Sequence, residues 1–189
     1  AGSDYTAIAG GASVNFTGTA GETRTVTVAV TGDTIVEPNE TFNVSLGTPS
    51  NAQVGVSDNS GIGTINNDDS SALSINDVTV SEGNSGNSSA SFTVTLSNAV
   101  QGGLTVPLTS ANITAVAGSD YTAINPGTNL TFTGTAGETR SINVLVTGDT
   151  TLEPNETFQV NVGTPSNAAV TIGDGVGIGT INNDDNASI

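Results

Sequence analysis

Three acidic side chains lie close together in the segment GDTTLEPNETF, residues 148–158. Asp149, Glu153 and Glu156 fall within eight positions of one another, in a chain whose eighteen Asp and Glu residues face two Arg, no Lys and no His. Carboxylates that crowd together repel one another unless a cation neutralises them. The spacing therefore predicts the binding of a positive ion, whereas the composition excludes chemistry based on histidine or cysteine.

The residues around these acids predict a loop between two strands. Pro154 disfavours a helical backbone at Glu153. The flanking patterns SINVLV (141–146) and TFQVNV (157–162) alternate apolar and polar residues, which is typical of half-buried strands. The acids therefore belong to a strand-to-strand connection and not to one face of a helix.

The sequence contains two copies of one unit. Residues 1–69 align without a gap on residues 117–185, and 48 of these 69 positions are identical, including AGSDYTAI, EPNETF and IGTINNDD. Self-similarity of this kind indicates a tandem repeat. The second copy has 47 further residues upstream, at 70–116, that the first copy lacks.

These offsets define the predicted domains. We interpret residues 1–69 as a partial repeat that lacks its first strands and residues 70–185 as a complete repeat. The closing NASI is similar to ALSI at 72–75, so residues 186–189 are interpreted as the start of the next repeat in a longer array. A partial repeat exposes a sheet edge, and either an upstream part of the chain or strands donated by a neighbouring subunit would complete it.

The complete repeat has about seven strand patterns, separated by turns rich in Gly, Asn, Ser and Pro. They are LSINDVTV, SFTVTL, LTVPL, NLTF, SINVLV, TFQVNV and VTIGDGVGIGTI. This number and spacing predict an all-β fold of seven-stranded antiparallel immunoglobulin-like β-sandwich repeats in tandem. No stretch predicts a helix.

Most of the acidic residues fall on loops that such a sandwich brings to one pole, because alternate strand connections emerge at the same end. In the complete copy these are Glu82, Asp120, Asp149, Glu153, Glu156, Asp184 and Asp185. In the partial copy they are Asp4, Asp33, Glu37, Glu40, Asp68 and Asp69. Thirteen of the eighteen acids are therefore candidate metal ligands, whereas a merely solvated surface would scatter them.

An oxygen-only set of ligands selects the ion. Ca²⁺ accepts about six to eight oxygen ligands in flexible geometry, Mg²⁺ requires a near-ideal octahedron, and Zn²⁺ prefers the His and Cys that this chain lacks. The sequence therefore predicts Ca²⁺, with roughly two ions in a complete site.

The motifs SINDVTVSEGNSG, AGSDYTAI, TFTGTAGETRSINVLVTGDTTLEPNETFQVNV and GIGTINNDD resemble the Calx-beta family of sodium–calcium exchangers, integrin subunits and bacterial surface or secreted proteins. The resemblance implies a seven-strand sandwich that binds Ca²⁺ through loops at one end, at the seven positions of the complete copy. Exchanger modules are often acidic where this chain has Gly148, Pro154, Asn155 and Asn183. This difference implies fewer ions or weaker binding.

Charge and composition limit the other functions. A net charge of −16 disfavours nucleic acid and anionic membrane surfaces, and no apolar run is long enough to insert into a membrane. We expect no enzyme, because the abundant Ser and Thr have no evident base beside them. Arg24 and Arg140 are expected either to pair with Glu22 and Glu138 or to pack through their stems.

The sequence favours a calcium-binding structural repeat of a long extracellular adhesin, stalk or filament, either secreted or on the cell surface. Its expected partners are neighbouring copies of the repeat, joined head to tail, and a host or surface receptor. A ligand- or glycan-binding adhesive module is the alternative, although the chain has only two Tyr and five Phe to stack on sugars. An exchanger-type calcium sensor is a third class, which the near-identical copies disfavour.

Overall fold

The computed structural model describes residues 4–186, so the predicted start of a next repeat lies almost entirely outside the described residues. The chain forms two compact units. The first unit comprises Ala1–Asp33 and Pro38–Asn67, and the second comprises Thr34–Glu37 and Asp68–Ile189. The described residues contain no helix that could cross a membrane.

The first unit has one antiparallel strand pair, formed by β1 (Glu40–Ser45) and β2 (Ser60–Ile65). The Phe42 ring stacks on Tyr5 with centroids 4.7 Å apart, but no described residue of this unit is fully buried. An open groove of about 260 Å³ is lined by Val26, Val28, Phe42, Val44, Gly61, Ile62 and Gly63. The first unit therefore leaves part of its apolar surface uncovered.

The second unit is a two-sheet sandwich. Its strands are β3 (Ser71–Ile75), β4 (Val78–Ser81), β5 (Gly86–Leu96), β6 (Leu104–Asn112), β7 (Asn129–Phe132), β8 (Thr139–Gly148), β9 (Glu156–Val162), β10 (Val170–Asp174) and β11 (Val176–Asn182). One sheet has the order β10-β3-β5-β8 and the other β4-β11-β9-β6-β7. Neighbouring strands are antiparallel except β3–β10 and β4–β11, which are parallel. The predicted all-β sandwich is confirmed.

Nine strands correspond to the seven predicted patterns, because the first and last patterns each change sheet. LSINDVTV divides into β3 and β4, and VTIGDGVGIGTI divides into β10 and β11. At the first crossing, Asn76 Oδ1 accepts a hydrogen bond from Thr93 N in one sheet at 2.5 Å, and Asp77 Oδ1 accepts one from Ile178 N in the other at 2.7 Å. These two side chains satisfy main-chain donors of different sheets, which stabilises the crossing.

Aromatic rings fill the centre of the second unit. Phe158 contacts Phe92 edge to face, with centroids 5.8 Å apart, and stacks on Tyr121 at 4.4 Å. All three side chains are buried, and the Tyr121 hydroxyl donates to Asn112 Oδ1 at 2.6 Å. The inward positions of β5 and β9 thus meet as the alternating pattern predicts, and Tyr121 from the connection between β6 and β7 packs against them.

Each arginine makes the expected ion pair and also places its guanidinium over an aromatic ring. Arg140 forms an ion pair with Glu138 and lies 6.0 Å from the centroid of the Phe132 ring. Arg24 repeats this arrangement with Glu22 and with Phe16 at 5.7 Å. In both units the arginine therefore stabilises a turn beside an aromatic ring.

Candidate metal centre

Four acidic segments meet at one pole of the second unit. Glu82 follows β4, Asp120 lies between β6 and β7, residues 149–155 connect β8 to β9, and Asp184 and Asp185 follow β11. Two of these segments are joined directly, because Asp184 Oδ1 accepts a hydrogen bond from Gly83 N at 3.1 Å. The alternation of strand connections thus produces the convergence that the sequence predicts.

One group of carboxylates combines a residue near the beginning of the complete repeat with two residues at its end. Oxygen atoms of Glu82, Asp184 and Asp185 all lie within 4.8 Å of one another. Glu82 and Asp185 are only 5% and 6% exposed, and Glu82 Oε1 and Asp185 Oδ2 accept no hydrogen bond within the described residues. Buried oxygens without a donor are costly unless another group binds them.

A second group lies on the neighbouring loops. Oxygen atoms of Asp120, Glu153 and Glu156 also approach within 4.8 Å, and all three residues are half-buried. Burial raises the pKa of the Glu156 carboxyl to about 7, with further contributions from a hydrogen bond to Asp120 and from the nearby carboxylates. Burial and the neighbouring carboxylates thus both disfavour a negative charge on Glu156 while no cation is bound.

Asp149 lies outside both groups but close enough to affect the first. Burial raises the pKa of the Glu82 carboxyl, and the charge of Asp149 is the next largest cause, followed by those of Glu153, Asp185 and Asp184. Asp149 Oδ1 itself accepts a hydrogen bond from Thr151 N at 2.6 Å. The structure thus brings six of the seven predicted residues into two groups and leaves the seventh beside them.

The six candidates of the first copy are placed differently. Within the described residues, none of them belongs to a group of three carboxylates. Asp4, Asp33 and Glu40 lie in the first unit, whereas Glu37, Asp68 and Asp69 lie in the second. Glu37 Oε1 accepts a hydrogen bond from Gln101 Nε2 at 3.4 Å. Residues 1–69 contain no counterpart of Glu82, and the role of these six acids as ligands stays a prediction.

Asn155 and Asn183, which stand where acidic residues were considered as ligands, connect the loops of the metal centre through their side chains. Asn183 Oδ1 accepts a hydrogen bond from Glu153 N, and Asn183 N donates to Asn155 Oδ1, both at 3.1 Å. The first unit repeats the second bond, with Asn67 N donating to Asn39 Oδ1 at 2.9 Å. Both copies contain this asparagine pair, and its repetition is the sequence feature from which a structural role could have been predicted.

The residues fit a hard divalent cation. Every side-chain ligand in the two groups is a carboxylate oxygen, and two of these oxygens are buried and unpartnered. Such a set suits Ca²⁺, and it lacks the nitrogen and sulfur ligands that a zinc site uses.

Comparison with known proteins agrees with this architecture. The Calx-beta domain family model matches residues 1–69 and again 65–185. The apo-form Calx CBD1 domain is similar in structure, with a TM-score of 0.52 and 19% identity over 62% of this chain and 100% of that chain. No curated protein sequence matches the chain.

Two tandem structures are also similar. CBD12 from CALX1.2 has a TM-score of 0.53 and 20% identity over 60% of this chain and 46% of that chain. The calcium binding domain CBD12 of CALX1.1 has a TM-score of 0.53 and 21% identity over 61% and 47%. The match thus spans about half the length of each tandem structure, and at these identities it concerns the fold. Because the family model matches both repeats, the chain belongs to the Calx-beta family.

Proposed function

We propose that this chain is a calcium-binding structural repeat of a long extracellular adhesin, stalk or filament. The observation that carries the proposal is the burial of Glu82 and Asp185 with one unpartnered oxygen on each. Calx-beta domains bind Ca²⁺, and a cation would supply what these oxygens lack. The repeat has no enzymatic role in this proposal.

The two carboxylate groups divide the ligands between roughly two ions. Glu82, Asp184 and Asp185 would hold one ion, and Asp120, Glu153 and Glu156 the other, with Asp149 beside Glu82. Bound Ca²⁺ supplies positive charge that replaces repulsion among the loops with attraction. The four acidic segments are then held at fixed distances from one another.

The place of the site in the sequence supports a role at the joints of an array. Asp185 ends the complete repeat, and its first-copy counterpart Asp69 is followed after one residue by β3. An ion bound at this position restrains the last residues before the next repeat begins. At a hundredfold excess of Ca²⁺ over the dissociation constant, binding to the folded state adds about 2.7 kcal/mol of stability.

Charge and ligand content support an extracellular location. Asn155 and Asn183 are uncharged, so the site has fewer charges than a denser acidic run would give. Sites with fewer charged ligands suit the millimolar Ca²⁺ found outside cells. The net charge of −16 also keeps a long array soluble.

The test is the melting temperature and the solution length of the full chain in millimolar Ca²⁺, in Mg²⁺ and in chelator. We expect Ca²⁺ to raise the melting temperature, to reduce conformational spread in small-angle X-ray scattering and to exceed the effect of Mg²⁺. No binding heat at millimolar Ca²⁺, together with equal melting temperatures, would contradict the proposal. Stabilisation by sugars but not by Ca²⁺ would instead support a glycan-binding module.

The groove of the first unit favours a second element of this function. In the second unit, Phe92 on β5 covers Phe158, whereas the counterpart of Phe158 is Phe42, which lines the open groove. We propose that a β5-like strand of a neighbouring copy covers this groove in a head-to-tail filament. Sedimentation velocity should then show concentration-dependent association that Phe42→Asp abolishes and that Val56→Asp preserves, because Val56 lies outside the groove and its counterpart Ile172 stays exposed in the second unit. A monomer at every concentration would reject strand donation.

A further inference from the structure

Val36 belongs by sequence to the first repeat but is buried in the second unit. Its side chain is 1% exposed and lies in the core cluster of that unit. Its main chain is fixed as well, because Val36 N donates to Ala99 O and Val36 O accepts from Gln101 N, both at 2.9 Å. A single residue of the segment 34–37 thus forms a parallel bridge with Val100.

The segment that receives Val36 is itself fixed by a main-chain hydrogen bond and a close backbone contact. Val100 is 2% exposed, and its main-chain nitrogen donates to Gly134 O at 2.9 Å. A Cβ on Gly134 would lie 2.0 Å from Val100 O, so only glycine permits this close approach. Val36 thus occupies an apolar pocket in the core of the second unit, with one main-chain donor and one main-chain acceptor of that unit beside it.

The residue that corresponds to Val36 in the complete repeat is Leu152. The segment GDTIVEPNETF of the first copy and the segment GDTTLEPNETF of the second differ at only two of their eleven positions. One of these is the position that Val36 occupies in the first copy and Leu152 in the second. Leu152 is 60% exposed. Within the described residues, its main chain makes neither of the two bonds that fix Val36.

We propose that Leu152 is a docking residue that binds another copy of the repeat. Its side chain enters the pocket beside the counterpart of Val100, and its main chain bonds to the counterparts of Ala99 and Gln101. Within this chain, Val36 already makes each of these contacts with the second unit. The expected binding partner of Leu152 is therefore the same 99–101 segment of another copy. Leucine and valine are both branched and apolar, and burying either stabilises the complex.

This contact goes beyond the proposed function, because no ion takes part in it. The docking segment nevertheless includes Glu153, whose carboxylate belongs to the second group of acids. In the first copy the equivalent Glu37 lies against Gln101. Docking therefore connects the acidic pole of one repeat to the 99–101 segment of another by direct protein contacts.

The test uses the full chain extended by one repeat, with residue 185 followed directly by a second copy of residues 70–185. This junction reproduces the sequence at 69–70. Hydrogen exchange is measured at the amide of the added unit that corresponds to Gln101, since its acceptor would be the carbonyl of Leu152. Leu152→Asp is the disruptive variant, Leu152→Val the conservative variant and Thr151→Asp the matched control at an exposed neighbour.

We expect Leu152→Asp to reduce protection of this amide by about tenfold or more, while Leu152→Val and Thr151→Asp retain it. In the chain of 189 residues, Leu152→Asp should leave the melting temperature unchanged, whereas Val36→Asp should lower it. Protection that is absent in the extended chain, or is unaffected by Leu152→Asp, would overturn the proposal. Measurements in Ca²⁺ and in chelator separate this outcome from a failure of calcium binding, because docking should survive chelation.

Discussion

Gly148 lies against the main chain of Gly83. A Cβ atom at position 148 would be 2.1 Å from Gly83 O and 2.7 Å from Glu82 O. The end of β8 therefore approaches the loop that carries Glu82 closely enough to exclude every side chain. Glycine is therefore required at position 148 by the contact between the end of β8 and the loop that carries Glu82.

Gly148→Ala should displace the loop at Glu82 and weaken both folding and Ca²⁺ binding. Because backbone atoms and not a flexible side chain block the new methyl group, we expect a loss of about 1–3 kcal/mol in the free energy of unfolding. Chemical denaturation in chelator measures the first effect, and calorimetric titration with Ca²⁺ measures the second.

Gly32→Ala is the matched control for this substitution. Gly32 occupies the same position in the first copy, and no atom lies within 4 Å of a Cβ placed there. We expect little change in either measurement. Equal effects of the two variants would show that the Gly83 contact does not determine the cost.

Glu82→Gln should change stability in opposite directions with and without calcium. Its carboxylate is buried near four other acids, which raise its pKa, so neutralisation relieves repulsion in the ion-free chain. The same change removes a charged ligand, and Ca²⁺ affinity should fall on the order of tenfold or more. Melting temperatures in chelator and in Ca²⁺ should therefore move up and down, respectively.

Asp174→Asn removes the same charge outside the metal centre, where Asp174 accepts only a long hydrogen bond from Val176 N at 3.3 Å among the described residues. We expect its response to Ca²⁺ to match that of the unmodified chain. If Glu82→Gln behaves in the same way as Asp174→Asn, Glu82 is not a ligand.

Glu138 gives the second unit a defined dependence on pH. Main-chain donors at Thr133 and Gly134, 3.0 and 2.9 Å from the carboxylate, hold its pKa at about 2. A pKa that is lower in the folded state stabilises the fold above the unfolded value near 4.5 and loses this effect as pH falls towards 2.

Glu138→Gln should therefore lower the free energy of unfolding most at neutral pH, and the difference from the unmodified chain should disappear near pH 2. Denaturant titrations across this range, in chelator, measure it. If the difference in the free energy of unfolding is the same at every pH, the shape of the Glu138 side chain, and not its charge, accounts for its role.

Phe158→Ala should destabilise the chain far more than Phe42→Ala, although the two residues occupy the same position of the repeat. Phe158 is fully buried between Phe92 and Tyr121, so its removal leaves a cavity and should cost about 3–5 kcal/mol. Phe42 lines an open groove, so Phe42→Ala should lower the stability by less. Thermal unfolding of both variants checks the comparison, which fails if their losses are equal.

The sequence predicts the strands well because each pattern depends on local alternation between inward and outward residues. It does not predict that LSINDVTV divides between two sheets. That division depends on Asn76 and Asp77 bonding to Thr93 and Ile178, which are distant in sequence. An alternating pattern gives the faces of a strand but not the sheet that it joins.

The convergence of the acids is predictable for a topological reason, since alternate connections of a sandwich share a pole. The division into two groups, and the exclusion of Asp149 from both, depend on side-chain positions that spacing does not determine. The contrast between Val36 and Leu152 is also invisible in the sequence. Both are apolar residues in nearly identical segments, but Val36 is 1% exposed and bonded to the 99–101 segment, whereas Leu152 is 60% exposed.

The parallel pairing of β4 with the last strand, β11, has a mechanical consequence. Because β4 and β11 run in the same direction, with four residue pairs from Val78–Gly179 to Ser81–Asn182, the chain enters and leaves the sandwich at opposite ends. A pulling force on those ends acts along both strands in shear and loads their hydrogen bonds simultaneously. The bonds resist together, so the unit is suited to bear tension without unzipping.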